Sequence, residues 1–205
     1  MIRWLGDRVL IAPAIYDFSQ SLVGAPRCHE RFVSEMVQPS SGERILDIGC
    51  GVGASVKFVP DDVSYVGLDV SEPYIETARA RYGKRATFIC ADVDSVDPSN
   101  IGIFDRAFCF GVLHHLSDAV AARTIALVQR IVRPGGMFVT IDPCFVPEQS
   151  SLVRFLLSRD RGRYVRDKPG FERLVAGLGT VQSRVFHDLL RIPYTQLVMR
   201  VRLNS

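Results

Sequence analysis

Three features of this 205-residue chain predict an α/β fold built on a mostly parallel sheet that closes with an antiparallel hairpin. From Glu43 onward, apolar strand-like runs alternate with helical segments, the rhythm of a parallel sheet. Residues 45–53 read as a buried strand that ends in a carboxylate, Asp47, and breaks into a glycine-rich turn. Near the end, Val181–Leu190 and Thr195–Leu203 are strand-like and only Arg191–Tyr194 separates them, so they should pair antiparallel.

Two helices open the chain, roughly Pro13–Val23 and Arg27–Val37, the second stopped by Pro39. Strands are expected at Arg44–Ile48, Ser64–Asp69, Ala86–Cys90, Phe104–Phe110 and Met137–Ile141. Helices fall between them, near Ala54–Phe58, Glu72–Arg81 and Asp118–Val132. Ser71 is placed to cap the second of these, with Glu72 in its first turn. The Arg133-Pro-Gly-Gly136 turn ends the third and feeds the fifth strand. After that strand, Leu152–Ser158 and Phe171–Leu178 read as helices flanking a charged connection, Arg159–Lys168.

The length suits one α/β domain with a full core. Hydrophobic residues (47%) and charged residues (23%) sit at ordinary globular values, and no apolar run reaches the roughly 18 residues that would span a bilayer. Arg3, Asp7 and Arg8 precede a short apolar stretch broken by Pro13, a poor signal peptide, so a cytoplasmic location is expected. Five scattered cysteines (28, 50, 90, 109 and 144) form no CxxC pair; reduced, space-filling thiols explain them without a metal or redox site. Charge is uneven: residues 151–205 hold 11 Lys and Arg against 4 Asp and Glu, and residues 1–150 hold 14 against 18. A negatively charged partner would therefore meet the tail.

In open α/β sheets ligands bind at the carboxyl ends of the strands. There the chain places Gly49, Cys50, Gly51 and Gly53 after strand one, the three glycines without β-carbons where the backbone must approach a ligand. Asp69 follows strand two, twenty residues after Gly49, where a carboxylate can accept two ribose hydroxyls. Strand three ends in Cys90-Ala-Asp-Val-Asp94, and strand four runs into Phe110-Gly-Val-Leu-His-His-Leu116. Asp47 suits a ligand with a cationic amino group and would repel a pyrophosphate. It thus opposes the NAD reading that the turn, with Ala54 in its last place, would otherwise allow.

From Asp47 to the Val132-Arg-Pro-Gly-Gly-Met137 segment, these motifs resemble those of the class I S-adenosylmethionine (SAM) methyltransferases, in order, over about residues 43–142. The resemblance implies a Rossmann-like seven-stranded sheet with helices on both faces. It implies a single domain with a helical lid (1–42), a SAM-binding core (43–142) and an acceptor-side insertion with C-terminal hairpin (143–205). It implies that Asp69 meets the ribose, that Asp92 and Val93 meet the adenine edge with Val70 on its ring, and that Phe110 and Gly111 line the methionine end. The tail resembles that of a group of small bacterial methyltransferases.

Methyl transfer from a sulfonium needs chiefly alignment and exclusion of water; a base matters only for an acceptor protonated at neutral pH. His114 and His115, after strand four, are the candidate bases, with capping or packing as the alternative. Acceptor contacts are expected from Tyr16 (beside Asp17) on the opening helix and from Arg159, Arg163 and Tyr164 in the charged connection, with His187 and Tyr194 on the last hairpin as weaker candidates. Guanidinium forks in that connection would suit a phosphate or carboxylate on a small-molecule acceptor. A nucleic-acid acceptor is disfavoured, because few aromatics interleave the basic tail and no Asn/Asp-Pro-Pro-Tyr/Phe/Trp element follows strand four. The remaining alternative is a non-catalytic protein that uses the same fold to bind a ligand or partner.

Overall fold

The computed structural model describes residues 24–160 and 162–204. The expected opening helix over Pro13–Val23, with Tyr16 and Asp17, lies outside them. The described chain begins with α1 (Ala25–Arg31), which continues into a π-helical turn, Phe32–Val37, ended by Gln38 in the left-handed region (φ 51°).

The sheet comprises β1 (Arg44–Ile48), β2 (Ser64–Asp69), β3 (Thr87–Cys90), β4 (Phe104–Phe110), β5 (Val132–Phe145), a two-residue β6 (Arg166–Asp167), β7 (Gly179–Phe186) and β8 (Gln196–Leu203). Its order is β3-β2-β1-β4-β5-β8-β7, with β6 paired to β5 off that path. β1 to β5 run parallel; β8 inserts antiparallel between β5 and β7. The mostly parallel, seven-stranded path and its antiparallel C-terminal strands are as expected. The helices are α2 (Glu72–Tyr82), α3 (Pro98–Ile101), α4 (Asp118–Ile131), α5 (Ser151–Ser158) and α6 (Lys168–Val175), with 3-10 turns at Ala54–Phe58 and Leu113–His115.

Each sheet face has its own core, as side-chain alternation along strands requires. Leu46, Ile48, Leu68, Ala107, Cys109 and Phe138 pack beneath α4 and α6 on one face. Ile45, Tyr65, Phe108, Val139 and Val198 pack beneath the segment from α1 to Val37 on the other. In α4, Ala121, Thr124, Ile125, Val128 and Ile131 bury one helical stripe, and Ser117 Oγ caps the start by accepting from Val120 N–H at 3.4 Å.

Three sequence expectations need correcting. Ser71 occupies the N-cap position of α2, but its hydroxyl makes no capping bond and is buried without a partner among the described residues. Its N–H instead donates to Asp69 Oδ1 at 2.9 Å. β5 is longer than Met137–Ile141: a register shift lets Val132 pair with Phe104, and Pro143 and Cys144 gain partners in β8 and β6. The hairpin connection is also longer than four residues: β7 ends at Phe186 and β8 begins at Gln196, with Leu189 between them buried in the core (2% exposed).

Candidate functional site

The carboxyl ends of β1, β2, β3 and β4 surround one cleft with two lobes that share Gly49. Asp69, Val70, Asp92 and Val93 line the first lobe, with Val112 and Leu116 closing it. Asp47, Cys50, Gly51, His29 and Phe110 line the second. Gly49 has φ 77°, and a β-carbon there would meet Val112 Cγ2 at 2.5 Å. Gly51 has φ 53°, and a β-carbon there would meet nothing within 4 Å, so its open side faces the cleft.

Asp47 is 1% exposed. Its Oδ2 accepts from the Tyr65 hydroxyl at 2.5 Å, while Oδ1 is buried with no partner among the described residues. Burial pushes this carboxyl up to about 7 against the pull of the Tyr65 and Ser55 hydroxyls, and Asp69 adds repulsion. A buried, half-satisfied carboxylate of this kind fits a cationic group. Asp69 is fixed differently: Oδ2 accepts from Gly51 N–H and Oδ1 from Ser71 N–H, both at 2.9 Å. Each oxygen keeps a lone pair for a ligand hydroxyl. Asp92 is oriented by Asp94 N–H, which donates to its Oδ1 at 3.0 Å.

Two expected glycines do not line the cleft. The β-carbon side of Gly53 faces Phe88 and Tyr82, at 3.0 and 3.1 Å. Gly111 N–H donates to the Ile141 carbonyl at 2.8 Å. Both shape the turns (φ 77° and 66°).

His114 is 5% exposed, and both ring nitrogens face carboxylates. Nδ1 lies 2.8 Å from Asp142 Oδ1 and Nε2 lies 3.4 Å from Asp160 Oδ1. Burial alone would keep the ring neutral, but Asp142 and Asp160 outweigh it and raise His114 to about 9. Burial works against ionised Asp160 as well, yet His114 and the Tyr194 hydroxyl hold it well below the carboxylate range. Asp142, under stronger burial, is pushed up. His114 is thus clamped between Asp142 of β5 and Asp160 in the connection after α5, and both carboxylates favour its protonated form. His115 is half-buried, its ring centroid 4.0 Å from that of His114.

The remaining acceptor-side candidates do not line either lobe. Arg159 is exposed and lies over the Phe155 ring at 5.4 Å. Arg163 is exposed; Tyr164 is 41% exposed, and its N–H donates to the His114 carbonyl at 2.9 Å. His187 is exposed, with Nδ1 3.2 Å from Thr195 Oγ1. Arg166, in the same connection, is committed to structure: it holds Asp118 at 2.6 Å and the carbonyls of Leu113, Leu116 and Tyr164.

His29 went unrecognised in the sequence. Its ring stacks on Phe110 with centroids 3.6 Å apart, and Nδ1 pairs with the Ala25 carbonyl at 3.1 Å. That bond places the proton on Nδ1, and burial lowers the ring to about 4, so it is neutral at pH 7. Nε2 is then an acceptor on a side chain that lines the second lobe.

A class of protein is defined by this sheet order together with the acids after β1, β2 and β3: the class I methyltransferase fold. Residues 45–136 match the family model described as a methyltransferase domain. The chain is 31% identical over 137 residues to the O-methyltransferase cnsE of Penicillium expansum, covering 61% of this chain and 48% of that protein. It is 30% identical over 142 residues to 24-methylenesterol C-methyltransferase 2 of Oryza sativa subsp. japonica, covering 62% and 38%. Magnesium protoporphyrin IX methyltransferase from Synechocystis, solved with S-adenosylhomocysteine, superposes with a TM-score of 0.67 at 18% identity, over 92% of this chain and 87% of that one. Residues 45–136 thus match a methyltransferase domain, on a fold shared with class I SAM-dependent methyltransferases. It spans about half the length of the curated relatives it matches, and these come from fungi, plants and bacteria alike. No helix among the described residues is long and apolar enough to cross a membrane.

Proposed function

We propose that this chain transfers a methyl group from SAM to a small-molecule acceptor that carries an anionic group. The observation that carries the reading is the unpartnered Asp47 Oδ1, buried beside the open side of Gly51 and in one cleft with Asp69 and Asp92. Asp47 holds the cofactor's ammonium group, Asp69 its ribose hydroxyls, and Asp92 the adenine amino group, with Val70 and Val93 on the ring. When bound, SAM supplies an electrophilic methyl on its sulfonium, open to in-line displacement. Residues 43–142 serve as the cofactor core and 143–204 as the acceptor side.

His114 acts as a positioning residue, holding the connection that carries Arg159, Arg163 and Tyr164 over the acceptor side. The relatives include O- and C-methyltransferases, so the acceptor atom is set by parts outside the shared core. For an acceptor hydroxyl, the proton would pass to His29 or His115. The basic tail, +7 over residues 151–205, supports an anionic acceptor. Screening anionic and neutral small molecules for S-adenosylhomocysteine formation tests the reading. Turnover confined to neutral acceptors would remove the anionic part, and SAM binding without turnover on any acceptor would favour a non-catalytic binder. Loss of the acidic limb of the pH–rate profile in His29→Gln, or in His115→Gln, would assign the base; an unchanged profile in both would remove it.

A further inference from the structure

At the other ends of the strands, a second cavity of about 350 Å³ lies far from the glycine turn. Along β5 alone, the four residue steps from Met137 to Ile141 separate the two ends by about 13 Å. Strand register explains why the cavity is basic. Arg106 of β4 pairs with Met137 of β5, and Met137 pairs with Arg202 of β8, so both arginines flank Met137 on one sheet face. Arg200 lies two residues along β8 and shares that face. Arg133, from the bulge before Met137, completes the set.

Two of these four charges are neutralised locally. Arg106 makes a bidentate pair with Glu43, at 2.6 and 3.0 Å, and Arg133 Nε lies 2.7 Å from Asp105 Oδ1. The other two have no carboxylate partner among the described residues. Arg200 donates to Gln38 Oε1 at 3.0 Å, and its Nε is buried with no partner. Arg202 donates only to the Gly135 carbonyl, at 3.2 Å. A buried guanidinium N–H without an acceptor is costly, and two like charges at alternate positions on one strand face repel. A dianionic oxyanion would relieve both, since its oxygens match the planar donor fork of arginine. Gly135 leaves room for it: a β-carbon there would meet nothing within 4 Å.

We infer that this cavity is a binding site for a small phosphate-class oxyanion, separate from the methyl-transfer cleft. Arg200 and Arg202 supply the charge, and Arg106 and Arg133, held by their carboxylates, shape the wall.

The test titrates the full chain with inorganic phosphate and with glycerol phosphate, against chloride at matched ionic strength. Heat and the side-chain Nε–H resonances of arginine are recorded. Submillimolar binding that shifts the Arg200 and Arg202 resonances, and weakens at least tenfold in Arg200→Gln/Arg202→Gln, supports the site. Tighter binding of glycerol phosphate would identify a phosphomonoester as the source, and the reverse would identify free phosphate. No heat beyond the chloride control overturns the proposal. So does binding that leaves the Arg200 and Arg202 resonances unmoved in the unmodified chain, a readout that does not depend on the variant folding.

Discussion

Replacing His114 with glutamine removes the cation between Asp142 and Asp160 and should expose the clamp as a pH-dependent stability. The ring rises from its ordinary 6.5 to about 9 on folding. That rise corresponds to about 3 kcal/mol between its protonation states. Because the folded value lies above the unfolded one, this stability is fully present below about pH 6.5 and is lost as pH rises through 9. Asp160, held low, contributes above the normal carboxylate range and loses its contribution only in strong acid, outside this window. Urea unfolding of both proteins at pH 6 and pH 9.5 measures the effect. The unmodified chain should exceed the variant most at pH 6, with the gap closing by about 3 kcal/mol at pH 9.5. A gap of the same size at both values, or none at pH 6, would refute the charged clamp.

Other consequences can be measured on the cofactor side. Asp69→Ala should weaken SAM binding by about 1.5–3 kcal/mol, the scale of hydrogen bonds to a charged group; unchanged affinity in a folded variant would refute the ribose assignment. Asp47 rises to about 7, and a cationic ligand favours its ionised form, so SAM affinity should fall as pH drops below 7. Calorimetry in buffers of different ionisation enthalpy should show proton release on binding near pH 7, absent in Asp47→Asn. Gly49→Ala combines a positive φ with a contact at 2.5 Å to Val112 and should cost about 2 kcal/mol or more in chemical denaturation. Arg163→Ala should spare SAM binding and raise the acceptor KM; an unaltered KM would leave that arginine outside acceptor recognition.

What the sequence disclosed follows the range of the forces involved. β1, β2 and β4 were legible to the residue, because each is a short apolar run bounded by a carboxylate, glycine or charged turn. The cleft was legible for the same reason: Asp47, Asp69 and Asp92 each stand at the end of a strand. The hairpin connection was not, since Leu189 is apolar in either conformation and only the core it reaches decides its place. The His114 clamp was half legible. The histidine stood out after β4, but Asp142 meets it only because sheet order brings β5 alongside β4, and Asp160, held by Tyr194, only because the connection after α5 folds back over that junction. His29 gave no local signal, for its stacking on Phe110 joins residues 81 positions apart.

The central claim is that the cleft at the ends of β1 to β4 is built for SAM. Calorimetric titration with SAM and S-adenosylhomocysteine, with NAD and NADP in parallel, tests it most directly. The account predicts micromolar binding of the first two and none of the nicotinamide nucleotides. Binding of NAD or NADP with no response to SAM would contradict it and show that the Asp47 carboxylate does not select against a pyrophosphate.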